Sequence, residues 1–438
     1  MAILVTTTAA LIIFVALIRP RPSIPSHEPV MEALHAAVQS VGEPRPRPVI
    51  DLAALDRNTN RVLQSLGTHH QLRLVTKSMP SPQFLRYVAE RARTHRMMEF
   101  HAPFLPELLA TFPEADLDIM FGKPMPVALA ESVVAHLAPL DRLRALRVTQ
   151  WLVDSDEAVD EYLAWARRLH GSDRGTPPLR LALEIDVGLH RGGFTTPEAA
   201  ASSARRILES SVAQVSGLMG YDGHVGFAPR ALGPRRKTVS REMRALASRY
   251  NEFTTAVVAM GIPQHKLTLN GGGSRTYMQY GEGGFAPQDI AIGSAFLQPT
   301  DFDGPELESH EPALFIAAPV IKVIDEPAVP FVGAWAGRLW AAYDPNMARG
   351  FFIYGGGWAS RSAWPRGLRT HALYDHAPNR NLLPNQDLYV GSKNYDIKRG
   401  DFLFFRPEES DLLFDFEEIL AVRGTKVEAR WRPFTRRF

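Results

Sequence analysis

Between about residues 45 and 300 the chain repeats one pattern, a short apolar run followed by a stretch of helical periodicity. LRLVTK (72–77) precedes PQFLRYVAERAR, MMEFHA (97–102) precedes PFLPELLATF, and LDIMFGK (117–123) precedes PVALAESVVAHL. TQWLVDS (149–155) precedes DEAVDEYLAWARRL, and LRLALEIDVG (179–188), QVSGLMGYDG (214–223), LTLNGGG (267–273) and DIAIGSAF (289–296) follow. Near-continuous apolar strands alternating with amphipathic helices require a parallel sheet covered on both faces. About eight such units in roughly 250 residues is the count and size of a (β/α)8 barrel. An open doubly wound sheet is the alternative, but no GxGxxG follows the first strand. After about residue 305 the texture changes: PALFIAAPVIKVI, FFIYGGGW, DFLFFRP and EILAVRGTKVEARW are strand-like, and long helical patterns vanish. The expected organisation is α/β: an apolar N-terminal segment and Pro-rich linker (1–30), a TIM-type barrel (31–305) and a smaller C-terminal β domain (306–438).

Composition removes several functions. The 438 residues include no cysteine, which excludes disulfides, thiolate nucleophiles and Cys-ligated zinc and fits a reducing compartment. A net charge of +2 with no basic-aromatic run leaves no signal for nucleic acid. The run from Ala2 to Ile18 is uncharged and apolar, at the short end of what spans a bilayer. Arg19 and Arg21 follow it, so as an N-terminal membrane anchor it would leave the bulk of the chain in the cytoplasm. As a plain apolar extension it would have no membrane role.

In a (β/α)8 barrel, polar residues at the C-terminal strand ends face the active site. Those ends carry Lys77, Glu99 with His101, Lys123, Asp154, Asp186 with Arg191, Tyr221 to His224, Asn270 to Ser274, and Gly293-Ser294. Lys77 alone reads as a surface lysine where a strand leaves the core. In this company it is an amine in a polar cup. NGGGS (270–274) and IGSAF (292–296) follow the last two strands, where such barrels bind phosphate through glycine N–H groups. Each loop could also be only a tight turn. An amine beside a phosphate cradle suggests pyridoxal phosphate (PLP), whose aldehyde takes an amine as a Schiff base. A Schiff-base aldolase acting on a phosphorylated sugar is the other reading of the same pattern.

VTKS around Lys77, EIDVGLHRGGF (184–194), GLMGYDGH (217–224), NGGGSRTY (270–277), GSAFLQPTDFD (293–303) and GGGW (355–358) resemble the alanine-racemase-type, fold-type-III PLP proteins. Among them they look like the branch of D-threonine aldolases, D-serine dehydratases and amino acid deaminase/aldolase proteins. The resemblance implies that Lys77 holds PLP and that Arg191 reaches the cofactor ring region. It implies that Asn270, Gly271, Gly272, Gly273 and Ser274 with Gly293 and Ser294 cradle the phosphate. It further implies that Tyr221 and His224 are catalytic residues lining the pocket beside the cofactor, and that a homodimer acts on a small amino-acid substrate.

The departures bear on the reaction. Racemases of this type carry an arginine opposite the pyridine nitrogen, where this chain has Ala291 and Ile292. Their catalytic tyrosine motif is not reproduced by YGGGWAS (354–360). Racemisation needs an acid/base on each face of the substrate carbanion, and the second is unidentified. The aldolases and dehydratases of the branch use a divalent metal held in part by a histidine late in the β domain. The comparable RPEESDLL (406–413) offers Glu408, Glu409 and Asp411 and no histidine, and PNQDLY (384–389) places Gln386 at the upstream position. Glu409 and Asp411 are weak metal candidates against a solvated acidic loop, with His371 and His376 in reserve. The expected activity is a PLP-dependent lyase reaction on a β-hydroxy D-amino acid, by aldol cleavage or elimination. A racemase or epimerase, a decarboxylase, and a non-enzymatic PLP-binding homeostasis protein are the rivals.

Overall fold

A computed structural model of the chain describes residues 19–172, 175–228, 234–281, 287–328, 332–371 and 385–435. The candidate anchor (2–18) and His376 lie outside these residues. Among the described residues no helix is long and apolar enough to cross a membrane. The chain forms two compact units, one built mainly of residues 54–313 and one of residues up to 53 with 314–412 and 418–430.

The first unit is the expected barrel. After β1 (Arg47–Asp51), the strands β2 (Gln71–Val75), β3 (Arg96–Glu99), β4 (Asp118–Phe121), β5 (Thr149–Val153), β6 (Leu179–Glu184), β7 (Ala213–Gly220), β8 (Thr268–Gly271) and β9 (Asp289–Ile292) run round a closed parallel circuit. Pairing of β2 with β9, Gln71 opposite Asp289 through Leu74 opposite Ile292, closes it. These eight strands are the eight apolar runs of the sequence. The helices between them turn one apolar stripe inward. Helix Pro82–Ala92 starts on Ser81, whose Oγ accepts from the Phe84 N–H, and buries Phe84, Leu85, Val88 and Ala89. Helix Pro197–Glu209 starts the same way on Thr196 and buries Ala200, Ala201, Ser203, Ala204 and Ile207.

The barrel's interior near the strand starts is ionic. Arg73 is fully buried and reaches Asp289 at 2.6 Å and Asp118 at 2.9 Å, and its Nη1 donates to the Met97 and Asp118 carbonyls. Every donor direction meets an acceptor, which is the condition for a buried guanidinium.

The second unit is a nine-stranded sheet in the order β13, β14, β11, β10, β1, β16, β17. Its members are β10 (Leu314–Asp325), β11 (Arg349–Ile353), β12 (Ser360–Trp364), β13 (Arg369–Thr370), β14 (Leu388–Gly391), β15 (Phe402–Pro407), β16 (Ile419–Arg423) and β17 (Lys426–Trp431). Strand β15 pairs with β10 and β12 off that path. Two features depart from the sequence-based expectation. Residues 31–53, expected in the barrel, belong to the sheet unit, because β1 pairs antiparallel with β10 and parallel with β16. Helix Pro29–Ser40 buries Met31, Leu34, Ala37 and Val38 in that unit's core with Val49, Phe315, Phe404 and Leu420. The second departure is a helix, Ala334–Tyr343, inside a region expected to be all β.

Candidate active site

Lys77 lies in the turn Thr76–Ser78 that ends β2, so its amine leaves the barrel wall at the C-terminal mouth. Thr76 Oγ1 ties this turn to the neighbouring strand by donating to the Met98 carbonyl at 2.9 Å. The ammonium stands 5.6 Å from the centre of the Phe100 ring. Glu99, at the end of β3, is fully buried and accepts the Phe100 and His101 N–H groups through Oε1, both at 2.7 Å. Burial pushes its carboxyl up to about 7 against the pull of those bonds.

The next residue, Ser78, touches the glycine loop after β9. Its Oγ is 3.3 Å from Ser294 Oγ, and a Cβ on Gly293 would come within 2.5 Å of Ser78 Oγ. Only glycine permits that approach. The other loop joins here as well: Ser274 Oγ accepts from the N–H groups of Ala295 at 3.0 Å and Gly293 at 3.3 Å. Two backbone donors from one loop thus converge on a single oxygen, the geometry an anion's oxygen requires. Gly272 has φ +76°, and a Cβ there would lie 2.6 Å from Ile290 Cγ2, so the bend after β8 also needs glycine. Gly271 and Gly273 flank this bend, at the end of β8 and against the Tyr221 ring.

The two loops are joined again behind the cradle. His310 Nδ1 is 2.7 Å from the Ala295 carbonyl, which can only accept, so Nδ1 carries the proton. Nε2 is then the acceptor for the Tyr277 hydroxyl at 2.5 Å. Burial lowers His310 to about 4 and keeps this tautomer neutral. Asn58 donates to the Phe296 carbonyl at 3.0 Å from the same side. Asp222 couples the loop after β7 to the one after β8, accepting from Thr276 at 2.9 Å and Tyr280 at 2.7 Å, and burial raises its carboxyl to about 6.

On the opposite rim, the Arg191 guanidinium lies over the Tyr221 ring at 5.0 Å and 4.0 Å from Glu184. Burial raises the Glu184 carboxyl and Arg191 opposes the rise. Asp186 accepts from the Gly188 and His190 N–H groups and bonds His190 Nδ1 at 2.6 Å, which holds its carboxyl below the usual range although burial pushes the other way. His224 packs on Gly188, where an added Cβ would be 3.1 Å from Nε2. Its Nδ1 is buried without a hydrogen-bond partner among the described residues, and burial lowers its pKa.

The sequence-based residues therefore fall into groups. Lys77, Gly271, Gly272, Gly273, Ser274, Gly293 and Ser294 form the turn and the two loops just described. Arg191 and Tyr221 share one contact. Asn270 departs from expectation: its Nδ2 bonds the Asp289 carboxylate at 2.7 Å and carbonyl at 3.0 Å inside the barrel, so its amide group serves the ionic interior and not the cradle. Glu409 and Asp411 are exposed, and among the described residues no group of three or more His, Asp or Glu is placed to hold a metal ion. His371 is buried beside Trp340 in the sheet unit. Ser78 and His310 were not among the sequence-based candidates, and Asp222 was read only as one of the polar strand-end residues. Ser78 and Asp222 lie within quoted motifs, whereas His310 follows the last barrel strand with no local signal.

The residues fit PLP. They offer an amine, converging N–H and hydroxyl donors, and glycines where a side chain would fill the cradle.

Residues 50–288 match the family model described as alanine racemase, N-terminal domain. No curated protein matches the sequence. Among solved structures, D-threonine aldolase from Filomicrobium marinum is 14% identical, with a TM-score of 0.65 over 94% of this chain and 98% of its own. D-threo-3-hydroxyaspartate dehydratase from Delftia sp. HT23 is 16% identical, with a TM-score of 0.62 over 89% and 97%. Alanine racemase from Clostridium difficile 630 is 11% identical, with a TM-score of 0.59 over 88% and 97%. At these identities the likeness is one of fold.

Proposed function

From the premise that this chain belongs to the alanine racemase N-terminal domain family, we propose that it is a PLP-dependent lyase acting on a β-hydroxy D-amino acid. The observation that carries the cofactor assignment is the shared turn: Lys77 offers its amine one residue before Ser78, which touches the glycine loop at Ser294 and Gly293. An amine and a phosphate cradle on one rigid segment match a cofactor with an aldehyde at one end and a phosphate at the other.

Ser274, Ser294 and the Gly293 and Ala295 N–H groups would hold the phosphate, and Lys77 would supply the amine for the aldehyde. When bound, PLP supplies the electron sink that stabilises negative charge at the substrate's Cα. Arg191, with Glu184 and Tyr221 beside it, presents a positive charge at the rim for the ring region or the substrate carboxylate. Lys77, in the turn at the barrel mouth, would also be placed to act as a base. The Asp186–His190 pair is a second proton-holding group, with Asp186 fixing which imidazole nitrogen carries the proton.

Lyase chemistry is favoured over racemisation because Ala291 and Ile292 stand where racemases of this type keep an arginine, and both are buried apolar positions of β9. A homodimer is part of this reading. Incubation with D-threonine, D-allothreonine, D-serine and D-alanine tests the reaction. Glycine plus an aldehyde identifies cleavage, and a 2-oxo acid plus ammonia identifies elimination. The mirror-image amino acid as sole product would overturn the lyase assignment, and carbon dioxide release would point to decarboxylation.

A further inference from the structure

The helix Ala334–Tyr343 in the sheet unit has an apolar face open to solvent. Trp335 is 60% exposed, Leu339 62% and Tyr343 42%, and Val332 just before the helix is 46% exposed. The three helical residues are four apart, so they form one stripe. The helix is fixed by its other side. Gly337 is buried, where a Cβ would strike the Pro327 carbonyl, and the Trp340 ring meets His371 edge-on at 5.4 Å. The stripe is therefore held outward by packing. Single exposed apolar residues are ordinary on a soluble protein, but a contiguous aromatic and aliphatic stripe marks an interaction surface.

The chemistry of the partner follows from what adjoins the stripe. Arg19 Nε donates to the carbonyl of Tyr343, the last residue of the helix, at 3.3 Å. Asn346 binds the same N-terminal segment, accepting from Ser23 N–H at 2.7 Å and donating to the Arg21 carbonyl at 2.9 Å. The uncharged apolar run from Ala2 to Ile18 thus joins the fold at the C-terminal end of the stripe. Arg19, Arg21 and Arg338 supply exposed cations near it, Arg338 pairing with Glu326 at 3.6 Å. Tryptophan, tyrosine and leucine on one face with arginines at its margin is the composition of a helix lying in a lipid headgroup layer. Arginine favours anionic lipid there. A run that entered the acyl region would hold Arg19 at the bilayer surface, and the stripe with it.

We propose that the face formed by Val332, Trp335, Leu339 and Tyr343 docks on a bilayer containing anionic phospholipid. The inference is independent of the reaction catalysed. It is tested on the full-length chain by flotation with phosphatidylcholine vesicles, with and without phosphatidylserine, and by quenching of tryptophan emission with brominated acyl chains. The chain floats with the vesicles, more completely when phosphatidylserine is present, and its emission is quenched. Trp335→Phe removes most of that quenching, and the double variant Trp335→Ser/Leu339→Ser partitions about tenfold more weakly. Both positions are exposed, and an unchanged circular dichroism spectrum shows that the variants fold. Absence of vesicle binding, equal quenching in the Trp335→Phe variant, or equal partitioning of the double variant would overturn the proposal. So would a change in sedimentation coefficient without a change in vesicle binding, which would assign the stripe to a second copy of the chain.

Discussion

His310 reaches the cradle from behind, at the Ala295 carbonyl, and Tyr277 on one loop holds the imidazole that holds the other. Removing that hydroxyl leaves the loops joined through Ser274 but without this second link. Tyr277→Phe is expected to weaken PLP binding about fivefold, the worth of one neutral hydrogen bond at about 1 kcal/mol. Absorbance titration measures this, and affinity for pyridoxal, which lacks the phosphate, should stay unchanged. Glu99 gives a pH signature. Its folded pKa of about 7 lies above the ordinary glutamate value of about 4.5, so between the two the folded chain holds a proton that the unfolded chain has released. Its contribution to stability is whole below about 4.5 and is lost as pH rises through about 7. Glu99→Gln keeps the acceptor for the Phe100 and His101 N–H groups and cannot ionise. Denaturation midpoints of the variant should fall less steeply across that window than those of the parent. Lys77 and the two glycine loops were legible in the sequence, because an amine and two flexible turns stand out at the ends of apolar strands. His310 was not, since a histidine gains its meaning here only from a carbonyl and a tyrosine that the fold brings to it.

At the scale of elements, the eight strands were readable because each is buried on both faces and so is apolar along its length. What that pattern hides is the charge inside. Arg73 sits within LRLVTK as one polar residue in a strand, and only closure of β2 onto β9 brings it to Asp289. Asn270 was drawn to the cradle by its neighbours in NGGGS, although a residue within β8 points across the barrel wall and not along the loop. Asp289→Ala leaves the buried Arg73 guanidinium with Asp118 as its one carboxylate partner among the described residues and is expected to cost about 3–5 kcal/mol in chemical denaturation. A loss under 1 kcal/mol would mean that water reaches Arg73. The helix Ala334–Tyr343 escaped notice for the opposite reason: AWAGRLWAAY is apolar on nearly all sides and lacks the polar stripe by which a surface helix is recognised.

For the molecule as a whole, the order of segments along the chain is not the order of units in space. Strand β1 precedes the barrel, yet it is a central strand of the sheet that closes the chain. Periodicity identifies elements and their type, whereas the pairing of β1 with β10 and β16 is a long-range choice with no local mark. The barrel, by contrast, is a run of like units whose order in space follows their order in sequence, and its mouth could be located from strand ends alone. The central claim is that this mouth holds PLP on Lys77. Borohydride reduction of the protein incubated with PLP, followed by mass measurement of the intact chain and peptide mapping, tests it most directly. The account predicts one pyridoxyl phosphate adduct per chain, on Lys77. No adduct, or an adduct at Lys123 in its place, would contradict it.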